Sequence, residues 1–189
     1  MKPTSSTTLQ HQLLIAMPQM DDPHFAETVI YLVDHGPDGA MGLVINRPNG
    51  LHLDDLLEQL RPEVPATLED TQIALYAGGP VQTDRGFVLH EAGPVFQNTL
   101  ELDDLSLTTS PDVLFALSDG TGPARRLITL GYSGWGPGQL EEELAANLWL
   151  TTPATSALLF DTPSEQRLGA AAALLGVDLR LLSRQAGHA

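Results

Sequence analysis

The stretch with the most chemical promise is Gly131-Tyr132-Ser133-Gly134-Trp135-Gly136-Pro137-Gly138, between an expected strand and an expected helix. A serine on a sharp strand-to-helix turn is the setting of a hydrolase nucleophile elbow. That pattern demands glycine two residues after the serine, and Trp135 stands there instead. No acid and histidine elsewhere complete a triad by their spacing. The loop therefore reads as a tight structural turn, and no catalytic residue is assigned. As a phosphate cradle it is equally incomplete, being neither G-x-G-x-x-G nor a Walker loop. Glu141, Glu142 and Glu143 open the next helix and would repel an anion there.

Two arginines stand out because cations are scarce. Arg47 follows an apolar strand within Ile45-Asn46-Arg47-Pro48, and Pro48 biases it toward extended backbone. Arg85 follows the turn-rich Gly78-Gly79-Pro80-Val81-Gln82-Thr83-Asp84 and precedes the strand Gly86 to His90. At a strand end a planar guanidinium can meet an incoming carboxylate or phosphate, or pair internally with one of the 24 acids. Histidine offers less. His11, His24, His35, His52, His90 and His188 form no HExxH pair. The nearest approaches to a metal cluster are His52 with Asp54 and Asp55, and Asp21 and Asp22 with His24. Acids at a helix start and in an Asp-Pro turn have ordinary structural work, so no metal and no cofactor are expected.

The elements that must position these groups are those of an α+β domain. Thr28 to Val33 and Met41 to Ile45 flank Gly36-Pro37-Asp38-Gly39, a hairpin signal because proline pre-sets a turn and glycine suits its last position. Both runs are nearly continuous in apolar residues, which predicts strands covered on both faces. Further strands are expected at Leu13 to Met17, Ile73 to Ala77, Gly86 to His90, Leu127 to Gly131 and Ala157 to Phe160. Helical spacing appears in Leu53, Leu56, Leu57 and Leu60, in Leu140, Leu144 and Leu148, and in Leu168, Ala172 and Leu175. For the last helix, Thr162 is the expected cap, Glu165 completes a capping box and Gly176 terminates it. A shorter helix is expected from Ser110-Pro111, and Pro62 to Thr71 reads as a loop. Strands and helices interleave irregularly, against a simple doubly wound sheet.

At 189 residues the chain suits one domain, with residues 1–9 expected to be disordered. The absence of cysteine excludes disulfides, thiolate metal sites and cysteine nucleophiles, and it fits a cytoplasmic location. No apolar run is long enough for a secretory signal or a membrane span. Nine Lys plus Arg against 24 Asp plus Glu leave a formal charge of −15. Only Arg125 and Arg126 are adjacent, so there is no basic stripe to displace counterions from nucleic acid.

The segments Leu14-Ile15-Ala16-Met17-Pro18, Gly39 to Pro48, Gly78-Gly79-Pro80-Val81, Arg85 to His90 and Leu130 to Trp135 with Gly138-Gln139-Leu140-Glu141 resemble those of the bacterial YqgE/AlgH family. The resemblance runs from about Leu13 to the C-terminus. It implies an α+β fold with a mixed, mostly antiparallel bifurcated sheet, partly barrel-like and surrounded by helices. It also associates the chain with control of alginate production and a transcriptional-regulator label, without bringing catalytic residues.

Together these readings point to a regulatory or binding protein with a protein or small-molecule partner. Its groove is expected to be lined by the Asn46-Arg47-Pro48, Gly78-Gly79-Pro80 and Tyr132 to Gly138 loops. The candidate ligand-binding residues are Asn46, Arg47, Arg85, Tyr132, Ser133 and Trp135. Trp135 has two readings, a rigid binding anchor or a plug over the sheet end. A hydrolase or phosphatase using the same loops, and a direct DNA-binding factor, are the alternatives. The charge argument predicts no specific duplex binding at physiological salt, where dedicated regulators reach about 10⁻⁸ M. Anisotropy titration against promoter fragments checks this, and submicromolar, competitor-resistant binding would overturn it.

Overall fold

In the computed structural model, which describes residues 7–67 and 72–185, the hairpin at Gly36 to Gly39 forms as predicted, and a larger sheet grows from it. Along the chain the strands are β1 (Gln12–Ala16), β2 (Val29–Gly36), β3 (Gly39–Val44), β4 (Pro48–His52), β5 (Ala74–Ala77), β6 (Val81–Glu91), β7 (Thr99–Leu102), β8 (Leu105–Thr108), β9 (Arg126–Trp135) and β10 (Trp149–Pro153). The helices are α1 (Leu53–Leu60), α2 (Asp112–Ser118), α3 (Gln139–Ala145), α4 (Arg167–Leu174) and α5 (Leu179–Gln185). No helix among the described residues is long and apolar enough to cross a membrane.

The strand order is β10-β1-β2-β3-β9-β6-β8-β7, with β4 and β5 branching from β9. All pairings are antiparallel except β5 with β9. The fold is thus α+β, its mostly antiparallel sheet curled into a half-barrel. The split occurs along β9. Its first half pairs with β5 through Ile128, Thr129 and Leu130, and its last residues pair with β3 through Ser133, Gly134 and Trp135. Between the two lies Gly131 at φ +76°, a conformation that costs an L-residue free energy and glycine little. A Cβ there would sit 2.6 Å from the Gly79 carbonyl oxygen, so the two chains approach as only glycines allow.

Alternation explains the continuous apolar runs. Leu13, Ile15, Tyr31 and Leu43 face a core shared with Phe87, Leu107 and α4, while Leu14, Ile30, Leu32 and Val44 face Trp135, Leu140 and Trp149. A third cluster packs α1 and α2 on Leu75, Val88 and Ile128. Both faces of the sheet are covered, as the sequence predicts for these strands.

Several expectations change. Ala157 to Phe160 is no strand but the greater part of a π-helical turn, Ala157–Asp161. Thr155 starts it, its Oγ1 accepting the Leu158 N–H at 3.2 Å. Four apolar residues are too few for periodicity to distinguish the two. The last helix begins later than expected: Ser164–Gln166 is a 3₁₀ turn, and Thr162 donates its hydroxyl back to the Ala157 carbonyl at 3.0 Å instead of capping. Gly176 does end the helix, at φ +69°. Strands β4, β7, β8 and β10 have no counterpart in the sequence reading. Residues 1–6 of the segment expected to be disordered, and 68–71 of the expected loop, lie outside the described residues. Thr8 and Leu9 are tied to β2, donating to the His35 carbonyl at 3.2 Å and to its Nδ1 at 3.0 Å.

One buried polar chain links β6 to its neighbours. His90 is 0% exposed. Its Nδ1 meets the Glu91 carbonyl at 2.9 Å, and because a carbonyl only accepts, Nδ1 carries the proton. Nε2 is then left to accept from Thr108 Oγ1 at 2.9 Å, which in turn lies 2.9 Å from Thr99 Oγ1. Burial lowers the His90 pKa from its ordinary 6.5, opposed by the Glu91 hydrogen bond. An unfolded chain therefore takes up this proton before the folded one does. The contribution to stability is complete above pH 6.5 and is lost as the pH falls through that value toward the lower folded pKa. The melting temperature is expected to drop between pH 7 and pH 5, and His90→Gln is expected to flatten that part of the profile. An unchanged slope in the variant would assign the drop to other groups.

Candidate functional site

Beyond Gly131 the side chains of β9 resume their alternation. Tyr132 and Gly134 face one side, and Ser133 and Trp135 mainly the other. Val81 pairs with Tyr132, and Met41 with Gly134, so these residues form a band across three strands. That band continues the core face carrying Phe87 and Leu107. Its exposed end is the floor of an open groove of about 960 Å³. Gln97, Asn98, Thr99 and Leu100 form the opposite wall, and Gln82 and Arg85 the rim. Leu100 is 53% exposed there.

Among the described residues, Arg85 is the one charged side chain lining the groove. Its Nη1 donates to Gln82 Oε1 at 3.3 Å, and its guanidinium lies 5.4 Å from the centre of the Phe87 ring. Phe87 in turn meets Tyr132 edge-on at 5.7 Å. Among the described residues no carboxylate pairs with Arg85. Its charge is stacked on an aromatic ring and open to an arriving anion.

Of the six expected site residues, the groove gathers Arg85, Tyr132 and Trp135. Asn46 and Arg47 are elsewhere, for a structural reason. Asn46 Oδ1 accepts the Val29 N–H at 2.9 Å and its Nδ2 donates to the Glu27 carbonyl at 3.0 Å, continuing the β2 pairing with a side chain. Arg47 donates to the carbonyls of Pro23, His24 and Ala26 at 3.1, 2.7 and 2.6 Å. It clamps a loop, and among the described residues it forms no ion pair with an acid. Ser133 is 0% exposed and donates to the Gly78 carbonyl at 3.2 Å, so its hydroxyl ties two loops together inside the fold. The Gly78-Gly79 loop likewise serves the β9 crossing.

Trp135 lines the groove but is largely buried. It is 5% exposed, stacks on Phe25 at 5.9 Å and meets Trp149 at 6.2 Å. Its indole N–H donates to Glu143 Oε2 at 2.9 Å, and the same oxygen accepts the Trp149 N–H at 2.7 Å. A single carboxylate on α3 thereby holds both tryptophans of the chain. The plug reading describes this geometry.

His52, Asp54 and Asp55 do come together, with ligand-type atoms within 4.8 Å of one another. Asp55 is already engaged, accepting the His52 N–H at 2.8 Å across the start of α1. Asp22 similarly accepts the His24 N–H at 2.9 Å. His188 lies outside the described residues.

A family model described as AlgH-like matches residues 13–180. The chain belongs to this AlgH-like family. Among its AlgH-like relatives, a UPF0301 protein of Stutzerimonas stutzeri and the UPF0301 protein AlgH of Pseudomonas aeruginosa are each 61% identical over 189 residues, covering 100% of both chains. The solution structure of the AlgH protein from Pseudomonas aeruginosa superposes with a TM-score of 0.82 over 100% of each chain. The crystal structure of protein DIP2367 from Corynebacterium diphtheriae, 23% identical, shares the fold at a TM-score of 0.68, covering 92% of this chain and 90% of its own.

Sequence reasoning missed the far wall of the groove. Gln97, Asn98 and Thr99 sit in a short polar stretch whose only signal was two amides beside Phe96. For the tryptophan pair the geometry sets a test. Trp135→Ala is expected to cost roughly 3–5 kcal/mol of stability, as for a large aromatic removed from a packed core. Glu143→Ala, leaving two indole N–H groups without their acceptor, is expected to cost roughly 2–4 kcal/mol and to change the emission of both tryptophans. Chemical denaturation followed by fluorescence measures both. A Trp135→Ala protein with an unaltered midpoint would restore the anchor reading.

Proposed function

We propose that this protein is a regulatory binding protein whose groove receives a largely apolar ligand bearing a carboxylate or similar anionic group. The observation that carries this reading is the lining itself. A floor of Met41, Phe87 and Tyr132 is topped by one unneutralised cation, Arg85, in a chain of formal charge −15. An apolar cleft with a few convergent polar groups is the ordinary form of a small-ligand site. Gln82, Gln97 and Asn98 supply donors and acceptors along the groove.

The hydrolase alternative gains no support from Ser133, which is buried with its hydroxyl engaged by Gly78. Direct DNA recognition fits poorly with the chain's charge, so any control over alginate production or transcription would run through a protein or small ligand. We propose a cytoplasmic location, which the absence of cysteine fits.

The test is an amide-resolved NMR titration with matched pairs of aromatic and medium-chain carboxylates and their uncharged amides. Carboxylates are expected to shift Gln97, Asn98, Thr99 and Gly134. Arg85→Gln is expected to weaken them by roughly 10- to 150-fold, the worth of a charge-assisted hydrogen bond. Arg85→Lys is expected to fall between, since it keeps the charge and loses the fork. Equal response to the uncharged amides, or none to either, would refute the reading.

A further inference from the structure

A second concavity lies at the start of β9, bordered by β5, α4 and the π-helical turn. Three of the chain's nine basic residues, Arg125, Arg126 and Arg167, line this one cavity of about 340 Å³ together with Tyr76 and Asp161. In a chain of formal charge −15, that is a concentration of positive charge.

The three differ in how their charge is met. Arg125 is neutralised, with Nη1 2.7 Å from Glu91 and Nη2 on Asp161. Arg126 donates to the Ala124 carbonyl at 2.7 Å and has no carboxylate partner among the described residues. Arg167 is 4% exposed and has no carboxylate partner among the described residues. It donates Nε to the Thr162 carbonyl at 3.0 Å and Nη1 to that of Ile45, with its guanidinium 5.1 Å from the centre of the Tyr76 ring. Those two bonds engage two of its five N–H donors. A buried guanidinium without a counter-charge is costly to maintain, and an anion offsets that cost where one has access.

We propose that this cavity binds the phosphate group of a small phosphorylated molecule. Against Asp161 and the Glu91 carboxylate paired with Arg125, the three guanidiniums leave a net excess of one positive charge, and Arg126 and Arg167 have no carboxylate partner among the described residues. A phosphate monoester carries about −1.5 to −2 at neutral pH and presents three acceptor oxygens. Guanidinium forks match that geometry. Room for the rest of the molecule adjoins, since a cavity of about 490 Å³, walled by Leu117 and Pro123, shares Ala124 and Arg126 with the first. The site is separate from the groove at Arg85 and does not depend on it.

The experiment titrates the full chain with inorganic phosphate, pyrophosphate and a simple phosphomonoester such as glycerol phosphate. Acetate and sodium chloride at matched ionic strength are the controls, and melting temperature and amide shifts are the readouts. Phosphate species are expected to raise the melting temperature and to shift the amides of Ala74, Tyr76, Arg125 and Arg126, with the controls inert. Arg126→Gln, which loses a carbonyl contact, is expected to melt as the wild type does without anion and to bind phosphate at least tenfold more weakly. Arg85→Gln is expected to leave phosphate binding unchanged, which keeps this outcome apart from that of the groove. Arg167→Lys adds a second variant, expected to weaken binding while retaining charge. A phosphate response no larger than that to acetate or chloride, or one undiminished in Arg126→Gln, would overturn the assignment.

Discussion

The fold depends on how closely two backbones approach where Gly78 and Gly79 cross β9 at Gly131. A Cβ on Gly79 would collide with the Tyr132 carbonyl, and one on Gly78 with the Gly131 carbonyl. With hydrogen atoms in their place, the Gly78 carbonyl accepts both the Val44 N–H at 2.9 Å and the Ser133 hydroxyl at 3.2 Å. The Gly78 N–H donates to Leu130 at 2.8 Å. One residue thus connects β3, β5 and β9 at the point where the sheet divides. It also fixes which way β9 presents its side chains, turning Tyr132 to the groove and Ser133 into the interior. The serine that resembles a nucleophile in the sequence satisfies a buried carbonyl at this junction.

Much of the architecture was legible because its signals are local and mutually consistent. The hairpin at Pro37-Asp38 carries a turn signal, α1 a leucine stripe followed by Pro62, and the next helix a start at Ser110-Pro111. What escaped was structure whose cause is distant. Strand β4 begins at Pro48 and is mostly exposed, and it exists because β5 offers it an edge. The hairpin of β7 and β8 did have a sign: Asp103 at φ +57° turns between leucine-bearing strands, a conformation that aspartate tolerates better than most residues. The destinations of Asn46 and Arg47 were not readable. An arginine clamping three carbonyls has the same sequence signature as one awaiting a ligand, and which carbonyls converge is decided by the loop 23–27.

The arginines show how an acidic chain distributes a scarce resource. Arg47 stabilises a loop, Arg61 lies 4.3 Å over Phe115, and Arg125 and Arg180 are paired with acids. Arg85, Arg126 and Arg167 are left without carboxylate partners among the described residues, and each borders a concavity. The surrounding negative charge disfavours polyanions in bulk. Locally these guanidiniums favour small anions, so partner size becomes part of the selectivity.

Strand β9 arrives late in the sequence yet joins β3, β5 and β6, all of which precede it by at least 35 residues. Until Trp135 has been made, one edge of β3 and both branches of the split sheet lack their partner. At ordinary synthesis rates of about 5–20 residues per second, the stretch from residue 45 to residue 135 takes about 5 to 18 s. During that interval Ala40, Met41 and Gly42, the residues that β9 pairs, are a strand edge without its cover, open to pairing with other nascent chains. The same shared strand that makes the finished sheet one cooperative unit leaves its first half waiting on the ribosome, and the speed of translation through residues 45–135 becomes a determinant of yield.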